Sequence, residues 1–428
     1  MNKQRKYKQR TLEVHAGEEV DPVTGARATP IYHTSSYAFE SAEKAKKLYA
    51  LEEEGYLYTR ISNPTLDVLE KRVAAIEGGV GALSQSTGMS AILLSILNIA
   101  NSGDEIVASN NLYGGTFTLF KNTMPNWGIK VNFVPTHDLE AYENAINENT
   151  KAIYCESIGN PKLDIPDFEK IAKIAHKHDL PLIVDNTFPT PINCRPFEWG
   201  ADIVVHSTTK YMDGHATSVG GCIVDSGNFD WDAHADKFPG LCTPDESYHG
   251  LTYTKAFGKG AYITKATAQL MRDLGSIQSP QNAFLLNLGL ETLHLRMPQH
   301  CGNAQKVAEY LSKNEKVAWV NYCGLPDNKY YTLAQKYMPN GSCGVISFGL
   351  KGGRDVSIKF MDSLEFIAIV THVADARSCV LHPASHTHRQ LSDEQLMEAG
   401  VRPDLIRLSV GIENADDIIA DIEQALNA

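Results

Sequence analysis

Short apolar runs alternate with helix-length amphipathic stretches from about residue 60 to residue 224, and this alternation constrains the fold more than any other feature. We interpret the runs as strands at 105–108, 130–134, 152–155, 180–184, 203–205 and 221–224, and the stretches as helices at 62–77, 88–100, 138–146 and 167–178. Strands that read as continuous apolar runs and alternate with helices are typical of a mostly parallel sheet covered on both faces. The sequence therefore predicts an α/β fold.

The chain has 428 residues, which is too long for one small core, so more than one domain is expected. We predict an N-terminal arm over 1–60, a large domain over 61–265 and a smaller C-terminal α+β domain over 266–428. The small domain would open with helices near 261–274 and 286–311. Its strands would include 345–348 and 405–410, and a helix over 415–426 would close it.

The charge balance excludes one class of partner. With 39 basic and 51 acidic residues the net charge is −12, which argues against a nucleic-acid binder because such a protein needs a basic face. No apolar run reaches the roughly 18 to 20 residues that span a bilayer. We therefore expect small-molecule substrates and other protein chains as partners, and neither nucleic acid nor membrane.

The cysteines and the N-terminus bear on the compartment. The eight cysteines are scattered and include no Cys-x-x-Cys pair, which fits reduced thiols better than a disulfide framework or a zinc site. The basic segment 3–10 is not followed by an apolar region, so it does not resemble a secretory signal. A cytoplasmic enzyme is the expectation.

Two predicted strands end in polar residues that together suit one cofactor. The run 180–184 is followed by Asp185, and the run 203–205 is followed by a polar turn that carries Lys210. Pyridoxal phosphate (PLP) needs a lysine for its aldehyde, an acidic partner for its pyridinium nitrogen and donors for its phosphate. Taken alone, each segment equally fits an ordinary α/β core with a capping aspartate and a surface lysine.

Candidate phosphate donors lie in two further segments. Gly88 and Met89 begin an apolar helix after a Ser/Thr-rich turn, where exposed N–H groups attract an anion; a simple helix cap explains this segment equally well. The hydroxyls of Ser207 and Thr209, just before the lysine, could complete a phosphate cup.

Aromatic and amide side chains follow other strands. Tyr113 lies where a ring could stack on a planar cofactor, and Asn160, before a proline, could bond a ring hydroxyl. Tyr58 and Arg60 offer a hydroxyl and a bidentate donor fork, although both also fit surface residues of a turn.

Two more observations concern charged side chains. Arg407 lies in an apolar strand, where an unpaired guanidinium is costly, so it requires an internal acid or the carboxylate of an amino-acid substrate. The histidines at 372, 382, 386 and 388 lack acidic partners at metal-ligand spacing, and we predict polar loop residues and no metal site.

The aromatic, Gly-rich segment 225–260 is predicted to be a long excursion over the active site.

These motifs together resemble one family. The segments Tyr58-Thr-Arg60, Ser86-Thr-Gly-Met89, Leu112-Tyr-Gly114, Glu156-x-x-x-Asn-Pro161, Val184-Asp-Asn-Thr187, His206-Ser-Thr-Thr-Lys-Tyr211 and Leu405-Ile-Arg-Leu-Ser-Val-Gly411 are similar to the Cys/Met-metabolism family of PLP enzymes, in order and over essentially the whole chain. The resemblance implies fold type I, the aspartate-aminotransferase-like fold. It also implies a homotetramer built from dimers that share active sites.

The resemblance also implies residue roles. It makes Lys210 the Schiff-base lysine, Asp185 the partner of the pyridine nitrogen and Tyr113 the stacking ring. The implied phosphate ligands are Gly88, Met89, Ser207 and Thr209, and Asn160 would bind the ring hydroxyl. Tyr58 and Arg60 would enter the site from the neighbouring subunit. The implied substrate contacts are Arg407, Ser378 and Tyr58, and the implied catalytic residues include Tyr58 and Tyr113 beside Lys210.

Within the family, the chain resembles the O-acetylhomoserine sulfhydrylases. Its length and the segments 244–253, 279–296 and 375–388 are similar to that subgroup, which implies O-acetylhomoserine and sulfide as substrates. Methionine γ-lyases usually carry a cysteine where this chain has Gly115, which counts against that activity. At position 379 the resemblance leads us to expect an aliphatic residue, and this chain has a cysteine of similar volume. A γ-lyase or cystathionine-type enzyme is the runner-up. A non-catalytic scaffold is the alternative of a different class, against which Lys210 and Asp185 argue.

Overall fold

The computed structural model describes residues 7–386 and 401–428, and two sheets dominate them. The strands of the described residues are β1 Gly81–Gln85, β2 Glu105–Ser109, β3 Lys130–Val134, β4 Thr150–Glu156, β5 Leu182–Asp185, β6 Ile203–His206, β7 Gly221–Asp225, β8 Val317–Asn321, β9 Val345–Leu350, β10 Ala368–Ile369, β11 Cys379–Leu381 and β12 Leu405–Ser409.

Helices cover the sheets and connect their strands. The α-helices of the described residues are α1 Gln9–His15, α2 Ala42–Tyr49, α3 Pro64–Glu77, α4 Gly88–Leu97, α5 Gly114–Thr118, α6 Leu139–Ala145, α7 Phe168–Lys177, α8 Thr190–Asn193, α9 Pro239–Cys242, α10 Tyr253–Phe257, α11 Ala261–Lys265, α12 Arg272–Leu274, α13 Pro280–Glu291, α14 Leu293–Lys313, α15 Tyr331–Tyr337, α16 Arg354–Asp362 and α17 Ala415–Asn427. Short π-helical turns lie at Leu119–Thr123 and Ala266–Met271.

The large sheet is mixed but mostly parallel. Its seven strands run in the order β1-β7-β6-β5-β4-β2-β3, and β7 is antiparallel to both of its neighbours. The strands β2 to β6 are parallel to one another, so their carboxyl ends meet at one edge. In sheets of this kind, ligands bind at that edge.

Alternate residues of the strands enter two separate cores. Val107, Ile153 and Val184 face one side, where α3, α7 and α13 pack. Ile106 and Ile183 face the other side, which is covered by α4 and α11. Burial on both faces explains why these strands read as continuous apolar runs.

The second sheet is smaller and belongs to the C-terminal part of the chain. It has five strands in the order β10-β11-β12-β9-β8, and the pairs formed by β8, β9, β12 and β11 are antiparallel. Its apolar face packs on α14 and α17 around Ile346, Phe348 and Ile406. This α+β arrangement brings Arg407, in β12, towards the large sheet.

The segment after β7 does not lie over the active site, and that prediction was wrong. Trp231 stacks on Tyr262 with ring centroids 5.4 Å apart, and Phe238 packs edge-on against Trp231 at 5.0 Å. These rings belong to the core between the sheet and α4, because large aromatic side chains gain most from burial. The segment lines a separate cavity of about 490 Å³.

Candidate active site

A cavity of about 450 Å³ lies at the carboxyl ends of the parallel strands. One wall comes from the large sheet and its connections, and the other from residues 371–373 and Arg407 of the small domain. The volume suits a cofactor or small substrate. The predicted site residues on its wall are Gly88, Met89, Tyr113, Asn160, Asp185, Ser207, Thr209, Lys210 and Arg407.

Two carboxylates share the floor of this cavity. Strand register places Glu156, the last residue of β4, beside Asp185, the last residue of β5. Oδ1 of Asp185 accepts hydrogen bonds from the N–H of Thr187 at 3.0 Å and from its hydroxyl at 2.5 Å. Burial raises the pKa of Asp185, and the Thr187 donors act in the opposite direction. The carboxylate is therefore fixed in orientation and buried, as the partner of a cationic ring nitrogen must be.

Lys210 lies in the turn that follows β6. The turn is closed by the backbone bonds from Lys210 N to Ser207 O, at 3.2 Å, and from Gly214 N to Lys210 O, at 2.8 Å. Burial first, and then the nearby Arg407 cation, lower the pKa of the Lys210 amine to about 8. A far larger fraction of this amine is thus unprotonated at neutral pH than in an ordinary lysine.

The N-terminus of α4 forms an anion cradle. Thr87 caps the helix in a reciprocal pair with Ser90, which leaves the N–H groups at Gly88 and Met89 directed at the cavity. A Cβ on Gly88 would lie 2.7 Å from Cβ of Ser207, so glycine is required where the two segments meet. The helix cap considered from the sequence is thus present, and it leaves these N–H groups available to an anion.

The hydroxyl of Thr209 is engaged within the chain. It donates to the carbonyl of Gly220 at 3.1 Å and accepts from the N–H of Gly220 at 3.0 Å. Thr209 therefore fixes the loop before β7 in this structure, and Ser207 lies closer to the start of α4.

Tyr113 and Asn160 also line the cavity. The Tyr113 ring is half exposed, and the residue precedes α5. The peptide bond between Asn160 and Pro161 is cis. Oδ1 of Asn160 accepts a bond from Nη1 of Arg407 at 3.4 Å.

Arg407 is buried without a carboxylate partner among the described residues. Its Nη2 donates to the carbonyl of Thr371 at 3.0 Å, whereas its Nε is buried and makes no hydrogen bond within that part of the chain. Burial lowers the pKa of Arg407 to about 10. Of the two partners considered from the sequence, the internal acid is absent from residues 7–386 and 401–428, which leaves the guanidinium able to pair with a carboxylate from outside the chain.

The structure does not bring every predicted residue to this cavity. Tyr58 is 41% exposed, and Arg60 lies over its ring at 5.4 Å and donates to the carbonyl of Arg272. Ser378 is buried elsewhere, and its hydroxyl donates to Glu413 and accepts from the N–H of Gly411. These three side chains lie outside the cavity that this chain forms alone.

Two of the four histidines considered as metal ligands make other contacts. His382 bonds Ser385 and the carbonyl of Pro403, and His386 bonds the carbonyl of His382. His388 lies outside the described residues. No group of three or more His, Cys, Asp or Glu side chains arranged for a metal occurs within 7–386 and 401–428. Over the same ranges, no helix combines the length and apolarity that a membrane span requires.

Comparison with known families decides the relationship. The family of Cys/Met metabolism PLP-dependent enzymes matches residues 10–427. The chain belongs to that family. Its cofactor is therefore PLP, as the sequence predicted, and the cavity fits this group: an anion cradle, a buried carboxylate and a lysine amine converge on it.

Individual relatives cover nearly the whole chain. An O-acetyl-L-homoserine sulfhydrylase of Leptospira meyeri is 49% identical over 99% of this chain and 97% of its own length. A homocysteine synthase of Schizosaccharomyces pombe is 49% identical over 97% of both. A solved structure of an O-acetylhomoserine (thiol)-lyase from Campylobacter jejuni, which contains N'-pyridoxyl-lysine-5'-monophosphate, is 39% identical with a TM-score of 0.95, covering 99% of this chain and 100% of that one. The predicted fold class is thereby confirmed.

Two residues that contact Asp185 were not assigned a role from the sequence. Thr187 and Tyr154 both contact Asp185, the latter through its hydroxyl at 3.5 Å. The period of two along β4 places Tyr154 on the same face as Glu156, so that signal was present. Residues 371–373 reach the cavity only through packing of the small domain, and no local pattern in the sequence indicates this.

Proposed function

We propose that this enzyme replaces the γ-acetoxy group of O-acetyl-L-homoserine by sulfide or a thiol and yields L-homocysteine and acetate. One observation carries the proposal: Lys210, whose amine has a lowered pKa, and Arg407, which has no carboxylate partner among the described residues, line the same cavity. The relatives of the chain are named as sulfhydrylases and homocysteine synthases. Arg407 selects an amino acid, and Lys210 supplies a base beside it.

The cofactor would be held by residues on the large-sheet wall. Lys210 would bind its aldehyde carbon, Asp185 its ring nitrogen and Asn160 its ring hydroxyl. The N–H groups at Gly88 and Met89, with the hydroxyl of Ser207, would bind its phosphate. Thr209 would join them by turning its hydroxyl hydrogen from the carbonyl of Gly220 to the phosphate, and Tyr113 would stack on the ring. PLP, when bound, supplies an electron sink that stabilises negative charge next to Cα of the substrate.

Arg407 and Lys210 then act on different parts of the substrate. The Arg407 fork binds the α-carboxylate and so places Cα and Cβ near Lys210. In its unprotonated form, which a pKa lowered to about 8 makes accessible near neutral pH, the Lys210 amine takes a proton from Cα and moves the proton at Cβ. Acetate leaves Cγ with the bonding electrons, sulfide adds at the same carbon, and the protons return to Cβ and Cα.

We further propose a homotetramer in which two subunits share each site, with the arm 1–60 of one subunit reaching its neighbour. The support is that Tyr58 is exposed and that Tyr58 and Arg60 lie outside their own cavity. Co-expression of Lys210→Ala with Arg60→Ala chains tests this sharing. Hybrids should regain activity that neither variant has alone, since some of their sites combine an intact Lys210 with an intact Arg60. Inactive hybrids would contradict it.

The substrate contact of Ser378 and a cytoplasmic location also remain proposals. The cysteines of the chain are all free, which supports a reducing compartment. A methionine γ-lyase or cystathionine-type activity is the alternative within the family.

One assay separates these activities. Products are identified after incubation with O-acetylhomoserine plus sulfide, O-succinylhomoserine plus sulfide, and methionine alone. We expect homocysteine from the first mixture at the highest kcat/KM. Release of methanethiol from methionine at a comparable rate would favour the lyase instead. Lys210→Ala should abolish both turnover and the visible absorbance of the bound cofactor, and residual turnover would refute its role.

A further inference from the structure

The small-domain wall of the cavity carries a side chain without an assigned role. Residues 371–373 form this wall together with Arg407. The carbonyl of Thr371 already holds Nη2 of Arg407, and Val373 is apolar and 3% exposed. His372 lies between them and presents an imidazole ring.

The His372 ring has unused hydrogen-bonding capacity. Its Nε2 is buried and has no hydrogen-bond partner among residues 7–386 and 401–428. A buried polar atom without a partner costs free energy unless a ligand or water satisfies it. In a cavity that accepts a substrate, the substrate is the natural source of that partner.

Burial and the nearby cations lower the pKa of His372 and so favour the neutral ring. Burial lowers its pKa first, and the Lys210 cation lowers it next. Asp375 and Asp213 act in the opposite direction, and Arg407 contributes a smaller lowering effect than Lys210.

We propose that His372 contacts the acyl end of the substrate and donates a hydrogen bond from Nε2 to the ester that leaves Cγ. This proposal rests on the proposed function above. With the α-carboxylate on Arg407 and Cα near Lys210, the acyloxy group is the polar part of the substrate that remains without a partner. Acetate is a weak base, so a hydrogen bond to its developing charge assists its departure without full proton transfer.

Two ligands distinguish this role from carboxylate binding. O-acetylhomoserine carries the acyl group, whereas L-norvaline has the same α-carboxylate and no polar group at Cγ. We expect His372→Ala to lower kcat/KM for O-acetylhomoserine and sulfide by about 10- to 100-fold. The Kd of L-norvaline, measured by calorimetry, should change less than about twofold. His372→Gln, which keeps an N–H donor near the position of Nε2, should recover most of the loss.

The controls make each outcome decisive. His15→Ala, at an exposed histidine, should change neither quantity. Equal losses for O-acetylhomoserine and L-norvaline, or an unchanged kcat/KM in His372→Ala, would overturn the proposal. If the alanine variant does not fold, His372→Gln and His372→Leu provide the same comparison. Failure of the proposed function would show separately, as absence of homocysteine formation by the unaltered enzyme.

Discussion

The backbone N–H of Tyr113 donates to Oε1 of Glu156 at 2.6 Å, which ties the proposed stacking ring to the end of β4. Burial, followed by the charge of Asp185, raises the pKa of Glu156 well above its ordinary range. Glu156 thus accepts a proton more readily than a surface glutamate does, and it can hold Tyr113 without adding a second full charge beside Asp185.

Glu156→Gln and Glu156→Ala test this relationship. Glutamine keeps an oxygen acceptor for Tyr113, so we expect kcat/KM within about fivefold of the unaltered enzyme. Alanine leaves the N–H of Tyr113 unpaired, at a cost of about 1–3 kcal/mol, or roughly 5- to 150-fold in kcat/KM. Steady-state kinetics with O-acetylhomoserine measures both. Equal damage by the two substitutions would mean that the ionised carboxylate itself is required.

Gly115 leaves room for the same ring. A Cβ at this position would lie 2.6 Å from Cε1 of Tyr113 and 3.2 Å from Sδ of Met89. Gly115→Ala should therefore displace the Tyr113 ring and lower kcat/KM about tenfold. Because the position is helical, the melting temperature should stay the same or rise slightly.

Gly302→Ala is the matched control for that substitution. Gly302 is helical within α14, and no atom lies within 4 Å of its would-be Cβ. Alanine there should raise the melting temperature without changing activity. If Gly115→Ala kept full activity, the ring position of Tyr113 would not matter for catalysis.

The sequence predicted the central strands, and it predicted that polar residues lie at their carboxyl ends. Parallel strands buried on both faces give apolar runs, and the polar residue after each run must lie at the carboxyl edge. This is why Asp185 and Lys210 were placed together without any contact information. Strand β1 was missed because its sequence, Gly-Ala-Leu-Ser-Gln, contains one large apolar residue and buries polar ones instead.

Other parts of the site depend on packing between distant segments. His372 and Arg407 reach the cavity because the small sheet docks on the large one, and no local pattern encodes that docking. The aromatic residues of 225–260 show the opposite case. Their composition is compatible with a loop that covers the active site and also with a buried core. The structure shows the second arrangement, because Trp231 and Phe238 are buried in the same core as α4.

Arg407 should govern substrate affinity more than turnover. Nη1 and Nη2 are held by Asn160 and the carbonyl of Thr371, which fixes the plane of the guanidinium. Arg407→Lys keeps the charge but loses the bidentate fork, so KM for O-acetylhomoserine should rise at least about tenfold while kcat falls less. Initial-rate kinetics at saturating sulfide measures the two separately. A selective loss of kcat with unchanged KM would argue against a carboxylate contact.

Asp225, at the end of β7, should make stability depend on pH. The side chain is 2% exposed, Oδ1 accepts from the N–H of Gly227 at 2.8 Å, and Oδ2 is buried with no hydrogen-bond partner in the described part of the chain. Burial is the main cause that raises its pKa from 3.8 to about 7, and the charge of Asp202 adds to it. Between these values the unfolded chain releases its proton while the folded chain keeps it, so stability falls as pH rises from about 4 to 7 and then levels off.

Asp225→Asn removes this loss because the amide does not ionise. The gain in stability relative to the unaltered enzyme should be on the order of 2 kcal/mol larger at pH 8 than at pH 5. Urea unfolding of both proteins at the two pH values measures the difference. Asp327→Asn, at an exposed aspartate, should show no such pH-dependent gain. A gain that is equal at pH 5 and pH 8 would mean that the Asp225 carboxyl is not protonated in the folded enzyme at the lower pH.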